Sequence, residues 1–301
     1  MKRFFVASVV CLSSLLHAAP GCGGHGTRDT MLVSTAWLAA HLNDANLVVL
    51  AVGRPGEYDS GHIPGALELK YSDIVTRPGE TPLTTELPPM DRLADLFGKL
   101  GVSNESRVIL YVSNDGLSLT TRAYLTLDAM GMGARTALLD GGFVTWKNEN
   151  RPVTKEVRAV KAAKLAPCPQ NDIIALRDYV QANLRHAGID IVDARDASYY
   201  TGAQVPNNRR AGHIPGATNI AYTTLVDAMN KFKPAADLAA LFAAGGVKPG
   251  DRVVSYCHIG QQATVVYFAA RYLGYDARLY DGSWEDWSAH TELPAEVSTG
   301  R

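Results

Sequence analysis

The sequence lacks the features that mark several classes of protein. Its four cysteines are not spaced like a disulfide framework or a metal site. It has no long run of like charges, and a formal net charge of −1 predicts neither nucleic acid nor an anionic membrane as a partner. No apolar run is long enough to predict a transmembrane span. Apolar residues make up 47% and charged residues 20%, a composition typical of globular proteins.

The N-terminus has the layout of a secretory signal. Lys2 and Arg3 precede an apolar stretch that ends at Leu16, and small residues follow up to Cys22. We therefore predict that residues 1–22 are a signal peptide and that the protein is exported. The residues just before Cys22 also resemble a lipobox. The sequence leaves open whether the protein is periplasmic or a lipoprotein anchored to the membrane through Cys22.

An internal repeat divides the chain. The segment Gly-His-Ile-Pro-Gly-Ala at residues 61–66 recurs at residues 212–217. An apolar run before it, an Arg-Val strand after it and a closing Asp-Gly segment recur in the same order, so we interpret the chain as a duplication. The predicted domains are residues 31–153 and residues 171–298, joined by a linker at residues 154–170.

Each half alternates between strand and helix patterns. Short apolar runs of the kind found in buried parallel strands are Leu47–Val52, Arg107–Tyr111, Ile189–Val192 and Arg252–Tyr256. Helical patterns lie between them, which predicts an α/β fold of two domains, each a mainly parallel sheet flanked by helices. An oxidising compartment would permit a bridge between Cys168 and Cys257, but Cys168 lies in a proline-flanked linker, and we do not expect that bridge.

Cys257 is the candidate nucleophile. It follows a predicted strand and precedes a helical stretch from Thr264 to Tyr272. A loop between such elements lies at the carboxyl edge of the sheet, where α/β folds bind ligands. Unpaired backbone N–H groups at the start of a helix stabilise a thiolate, which is the reactive form of cysteine.

These segments together resemble the rhodanese family, and the tandem arrangement resembles thiosulfate and 3-mercaptopyruvate sulfurtransferases. The motifs that carry the resemblance are Gly-His-Ile-Pro-Gly-Ala, Asp193-Ala194-Arg195, the Cys-x-x-Gly loop and Asp-Gly-Ser-Trp-x-x-Trp. The resemblance implies that Cys257 takes sulfane sulfur from a small-molecule donor as a persulfide and passes it to a thiophilic acceptor. It implies no cofactor and no metal, because one cysteine completes the chemistry.

The family's site residues map onto the second half. Cys257 matches the catalytic residue, and the loop amides match His258, Ile259, Gly260, Gln261, Gln262 and Ala263. Asp193 and Arg195 match the family's Asp-x-Arg motif; either they act in the site or they form a structural ion pair. The motif histidine occurs once in each half, as His62 and His213, and both are predicted to anchor turns. Trp284 and Trp287 are predicted to pack under the loop.

The first half lacks the chemical groups of the second. Val112 stands where the second half has Cys257, and Ala51 and Gly53 stand in place of the acid and the arginine of the Asp-x-Arg motif. Ser113 has no His-acid pair to activate it. We therefore predict that the first domain is inactive and walls one side of the site.

The choice of sulfur donor depends on an insertion in the second half. Eleven residues separate Tyr200 from Gly212, where the first half has two, and they include Arg209 and Arg210. Adjacent arginines can bind an anion or form a solvated surface pair; with the first interpretation thiosulfate is the predicted donor. 3-Mercaptopyruvate and a non-catalytic persulfide relay stay open. A phosphatase is excluded because Ala263 occupies the position of the arginine that binds phosphate.

Overall fold

The computed structural model describes residues 24–114, 116–205 and 209–298. The predicted signal peptide and the lipidation site at Cys22 lie outside these residues. None of the described helices has the length and apolar character needed to cross a membrane.

The first sheet has five parallel strands in the order β1-β5-β4-β2-β3. Strands β1 to β5 are Leu32–Val33, Leu47–Gly53, Leu67–Lys70, Arg107–Val112 and Thr136–Leu139. Helices α1 to α6 are Arg28–Met31, Thr35–His41, Glu57–Ser60, Met90–Lys99, Leu117–Ala129 and Gly142–Asn148. Strand β4 is buried along nearly its whole length because helices cover both faces of the sheet, which explains its unbroken apolar sequence.

The second sheet repeats this topology in the order β6-β10-β9-β7-β8, again all parallel. Strands β6 to β10 are Ile174–Ala175, Ile189–Asp193, Thr218–Asn219, Arg252–Tyr256 and Asp276–Tyr280. Helices α7 to α11 are Arg177–Ala182, Ala197–Tyr200, Ala235–Ala244, Ala263–Leu273 and Ser283–Ala289. The predicted fold class, two α/β domains with parallel sheets, is confirmed.

The strand registers confirm how the two halves correspond. Ala51 pairs with Tyr111 in the first sheet, and Asp193 pairs with Tyr256 in the second. Ala51 therefore occupies the position of Asp193. Because Val112 follows Tyr111 as Cys257 follows Tyr256, the valine occupies the position of the cysteine.

Matched turns also confirm the duplication. His62 stacks on Tyr58 and His213 on Tyr200, with ring centroids 3.8 Å apart in each pair. Each histidine Nδ1 lies within hydrogen-bond distance of the carbonyl of the tyrosine it stacks on, at 3.0 and 2.8 Å. Each histidine also pairs through its backbone with a distant segment, His62 with Thr154 and His213 with Glu296, so both histidines anchor turns as predicted.

Helices α5 and α10 form the contact between the domains. Both are buried on almost every face, because each lies between its own sheet and the other helix. Polar side chains meet across this interface: the hydroxyls of Thr121 and Thr264 are 2.7 Å apart, and Tyr267 donates to Asp128 at 2.6 Å. The loop at residues 258–262 precedes α10, so the packing of the two helices also positions that loop against the first domain.

Candidate active site

Cys257 directly follows β9 and is completely buried. Its thiol is free, whereas Cys168 is disulfide-bonded, so the bridge between these two cysteines that we did not expect is indeed absent. The backbone N–H of Cys257 donates to the hydroxyl of Ser283 at 3.1 Å, and its carbonyl accepts from the N–H of Trp284 at 3.0 Å. The start of α11 therefore fixes the backbone of the cysteine on both sides.

The carbonyl groups of the loop that follows are all engaged. Those of His258, Gln261 and Gln262 accept backbone N–H groups of Glu285, Thr264 and Val265. The carbonyl of Ile259 accepts the Thr85 hydroxyl, and that of Gly260 accepts a guanidinium N–H of Arg122 at 3.3 Å. The last two donors belong to the first domain, which therefore helps to set the conformation of the loop.

The N–H groups of the same loop remain available. Within the described residues, none of the backbone N–H groups from His258 to Ala263 donates a hydrogen bond. Successive N–H groups without partners, next to the positive end of a helix, form a concave site that suits an anion. The loop can therefore hold a thiolate or a persulfide anion, as the sequence predicted for these residues.

The conformation of the loop requires a glycine at position 260. Its φ is +80°, in the left-handed region that favours glycine. A Cβ added there would lie 2.5 Å from the carbonyl oxygen of Asp281, which is backbone and cannot move aside.

We expect Gly260→Ala to distort the loop and lower kcat/KM for sulfur transfer by about tenfold or more. The matched control is Gly274→Ala, also at positive φ but with open space around the added methyl group. Both variants carry the same left-handed strain, so a comparison of their kcat/KM and melting temperatures isolates the effect on the loop. Equal losses of activity in the two variants would contradict the prediction.

Arg195 is a buried cation beside Cys257. Its guanidinium donates to both carboxylate oxygens of Asp193, at 2.6 to 3.1 Å, and to the carbonyl of Gly212 at 2.8 Å. Burial lowers the pKa of Arg195, but the hydrogen bonds and charge of Asp193 outweigh burial, so the pKa is raised and the group stays charged. Its Nη1 has no partner within the described residues. Arg195 thus forms a structural ion pair and still keeps one donor available.

Asp193 holds the arginine in place. Its carboxylate also accepts the hydroxyl of Tyr256 at 2.7 Å and the backbone N–H of Arg195 at 3.0 Å. Neither the Asp193 side chain nor the Arg195 side chain is exposed. A carboxylate satisfied in this way is suited to orienting the guanidinium and not to proton transfer.

His258 contributes no positive charge near neutral pH. Burial, followed by the charges of Arg195 and Arg209, lowers its pKa to about 4. Its ring meets that of Tyr199 edge to face, with centroids 4.6 Å apart. An unperturbed histidine is partly protonated near neutral pH, whereas with this pKa the ring of His258 is neutral above about pH 5.

The pH dependence of stability should reveal this lowered pKa. As the pH falls from 6.5 toward 4, the unfolded chain takes up a proton at His258 while the folded chain does not, so folding stability is lost. We expect His258→Gln to lose less stability than the native chain over this window, measured by urea unfolding at several pH values. The control variant is His290→Gln, which removes a histidine whose side chain is more exposed. Parallel stability curves for the native chain and His258→Gln would contradict the lowered pKa.

The two arginines of the insertion form hydrogen bonds and an ion pair with helix α11 and the residues that follow it. Arg210 donates to the carbonyls of Leu293, Trp287 and His290, and Arg209 pairs with Glu285 at 2.6 Å. Arg210 is therefore occupied with the backbone, while Arg209 keeps part of its surface exposed and lies near His258. Donor binding by these two residues stays a prediction.

Three contributions from the first domain were missed by the sequence analysis. Arg122, on α5, is fully buried; it pairs with both carboxylate oxygens of Asp281 and donates to the carbonyl of Thr85 at 2.7 Å. Thr85 in turn reaches the catalytic loop. Tyr71 has a buried hydroxyl, and burial raises its pKa to about 12, with Arg122 opposing the rise and Cys257 adding to it.

A further missed residue lies in the second domain. Ser283 adopts a φ of +51° and is completely buried, which is unusual for a residue with a side chain. Its hydroxyl accepts from the N–H of Cys257 and donates to the carbonyl of Tyr280. The first domain has Gly142 there at a φ of +53°. The visible signal is the serine in the Asp-Gly-Ser-Trp motif, which stands where the first half has glycine.

The fold and the site define the class of protein, and comparison with family models agrees. The model of the rhodanese-like domain matches twice, at residues 34–149 and 176–290. The chain therefore belongs to the rhodanese family and has two such domains, as predicted.

Particular relatives extend over almost the whole chain. The thiosulfate sulfurtransferase of Azotobacter vinelandii is 31% identical over 89% of this chain and 97% of its own. The sulfur carrier protein TtuD of Thermus thermophilus is 32% identical over 88% of this chain and 95% of its own.

Solved structures share the fold at lower identity. A complex of an EanB variant with ergothioneine has a TM-score of 0.80 and 20% identity, covering 91% of this chain and 71% of that one. YnjE has a TM-score of 0.76 and 22% identity, covering 90% and 69%.

Proposed function

We propose that this protein moves sulfane sulfur from thiosulfate, through a persulfide on Cys257, to cyanide or another thiophilic acceptor. The observation that carries the proposal is the loop after Cys257. Its carbonyls are all engaged and its N–H groups from His258 to Ala263 are all available, next to a free buried thiol. An array of donors without partners around one cysteine is suited to a sulfur anion.

The reaction has two displacements. The Cys257 thiolate attacks the sulfane sulfur of thiosulfate; a new S–S bond forms and sulfite leaves with the electron pair of the broken bond. The acceptor then attacks the outer sulfur of the persulfide. That S–S bond breaks, and its electron pair returns to Cys257 as thiolate.

Positive charge for both steps comes from outside the loop. Arg195 is fully buried and keeps its Nη1 available, while Arg122 approaches from the first domain. Both arginines interact electrostatically with Cys257. Fixed cations and N–H groups around a buried cysteine stabilise the anions at less cost than mobile solvent does.

Thiosulfate is proposed as donor because relatives that match 89% of this chain are named thiosulfate sulfurtransferase. 3-Mercaptopyruvate is the alternative, and kcat/KM for the two donors distinguishes them. A clear preference for mercaptopyruvate would overturn the choice of thiosulfate.

A persulfide relay without efficient turnover is a second candidate, favoured by the relative named sulfur carrier protein. The test is to incubate the full chain with thiosulfate, remove the donor, and measure the mass of the Cys257 peptide. We expect a gain of one sulfur atom, and after addition of both substrates we expect many thiocyanate molecules per chain. A stable persulfide without turnover would favour the relay, and no persulfide at all would refute both.

A further inference from the structure

Cys168 forms a disulfide whose partner can be narrowed to two residues. The chain has four cysteines. Cys168 is disulfide-bonded, and the thiol of Cys257 is free, which excludes Cys257 as the partner. Within this chain the partner is therefore Cys11 or Cys22, both of which precede the first described residue, Gly24.

The segment that contains Cys168 packs on the turn that follows helix α5, at residues 130–134. The backbone N–H of Cys168 donates to the carbonyl of Met130 at 2.9 Å. A Cβ added to Gly131 would lie 2.9 Å from the Cβ of Cys168 and 2.6 Å from its carbonyl oxygen. Because position 131 has no side chain, Cys168 lies directly against the backbone of this turn.

The beginning of the described chain packs on the same turn. The carbonyl of Gly24 accepts the N–H of Ala134 at 2.8 Å. A Cβ added to Gly26 would lie 3.1 Å from the carbonyl oxygen of Gly133 and 2.7 Å from the hydroxyl of Tyr124. Two segments that are distant in sequence, residues 24–26 and the linker around Cys168, are thus brought together on one short turn.

Cys22 is close enough to Gly24 to bridge the remaining distance. The two residues of chain that separate them span at most about 7 Å. A disulfide joins Cα atoms that are about 4.4 to 6.8 Å apart. Together these lengths are sufficient to join segments that contact the same turn. Cys11 instead belongs to the apolar stretch of the predicted signal, which is removed on export.

We propose that Cys22 is the disulfide partner of Cys168 in the exported protein. A lipid anchor would occupy the same sulfur atom, so the pairing decides against the lipoprotein that the sequence left open. It also requires signal cleavage before Cys22, one residue earlier than the boundary predicted from the sequence. Ala19 and Gly21 provide small residues at the third and first positions before that cleavage site.

The bond forms by thiol–disulfide exchange with an oxidised disulfide compound of the compartment. One cysteine thiolate attacks that compound, forms a mixed disulfide and displaces one of its sulfurs as a thiolate. The second cysteine thiolate then attacks the mixed disulfide and displaces the other sulfur. In total, two electrons and two protons pass from the two cysteines to the oxidant.

The disulfide secures a segment of chain that contacts both domains. Nδ1 of His25 lies 2.9 Å from the carboxylate of Asp128 on α5, which also accepts the hydroxyl of Tyr267 on α10. Nε of Arg28 donates to the carbonyl of Tyr272 on α10 at 3.4 Å. The bond also closes a loop that contains the whole first domain, and a long closed loop removes much entropy from the unfolded chain. We therefore expect it to stabilise the fold.

The first measurement maps the disulfide in the full chain, produced with its own N-terminal signal and purified without reductant. Free thiols are alkylated, the chain is digested with trypsin, and the peptides are weighed before and after reduction. We expect peptide 165–177 to be joined to the peptide that contains Cys22, and reduction to separate them. A lipid on Cys22, alkylation of both Cys22 and Cys168, or a link between Cys11 and Cys168 overturns the pairing.

The second measurement compares melting temperatures without reductant. Cys22→Ser and Cys168→Ser should each lower the melting temperature by about 5 °C or more, because either change opens the closed loop. The double variant should melt no lower than the single variants, since the same bond is lost in all three. Cys11→Ser is the control and should melt like the native chain. Additive losses, or no loss in either single variant, would overturn a stabilising bond between these two cysteines.

Both measurements are independent of the proposed sulfur transfer, because neither the peptide masses nor the melting temperatures depend on turnover at Cys257. Absence of thiocyanate formation in the native chain would refute the proposed function and leave the pairing of Cys22 with Cys168 in place.

Discussion

Cys257→Ser is expected to reduce thiocyanate formation from thiosulfate and cyanide to the uncatalysed background. A serine hydroxyl stays protonated near neutral pH and attacks sulfane sulfur poorly, while a thiolate is both anionic and strongly nucleophilic. Among the described residues, no other cysteine has a free thiol. Cys168 is disulfide-bonded, and the corresponding position of the first domain is Val112, which is buried.

The same variant should keep its fold. Serine is nearly isosteric with cysteine, and the contacts that hold residue 257 use its backbone N–H and carbonyl groups, which the substitution leaves in place. The buried hydroxyl needs a partner, and unpaired loop N–H groups are close by, so we expect a loss of stability of about 1 kcal/mol or less. Melting temperature and the steady-state rate together check both statements. Substantial turnover by a folded Cys257→Ser chain would refute the role of Cys257.

The fold and the second-domain half of the site could be predicted because their signals are local. A repeated turn motif and four apolar runs define two parallel sheets, and a cysteine between a strand and a helix lies at the carboxyl edge of its sheet wherever the sheet itself lies. The correspondence of Val112 with Cys257 likewise followed from matched strands, and the register bears it out.

The first-domain half of the site could not be predicted, because it depends on how the domains pack. The apolar residues of helix α5 are not confined to one face, so its sequence has no periodicity that tells which side meets the second domain. Arg122 and Asp128 are its two charged residues, and nothing in the sequence indicates the partner of Arg122. Its partner, Asp281, is far away in sequence and belongs to the other repeat. The extent to which the pKa of His258 is lowered could not be predicted for the same reason, since it depends on burial by distant residues.

Arg122→Met is expected to destabilise the folded protein by about 3–5 kcal/mol. The arginine is fully buried and pairs with both oxygens of Asp281, which also accepts the N–H of Leu87 at 2.8 Å. Methionine fills much of the space but leaves that carboxylate buried and short of its cation. Although burial opposes its charge, the charge and hydrogen bonds of Asp281 raise the pKa of Arg122, so the guanidinium stays charged.

Urea unfolding of the full chain measures this cost, and Arg135→Met is the matched control. Arg135 belongs to the same domain and pairs with Glu105, but both side chains are exposed, so its loss should cost less than about 1 kcal/mol. Equal losses in the two variants would show that the Arg122 pair adds nothing beyond a surface contact.

A double variant separates the two roles of Arg122. In Arg122→Met with Asp281→Leu, no unpaired charge remains, and replacing both partners of a buried ion pair by apolar groups is often neutral, so much of the stability should return. Activity should not return with it. The carbonyl of Gly260 still lacks its donor from the first domain, and one of the two arginines that interact electrostatically with Cys257 is gone. A folded double variant with native kcat/KM would refute the claim that the first domain takes part in the site. It would mean that Arg122 contributes to stability alone.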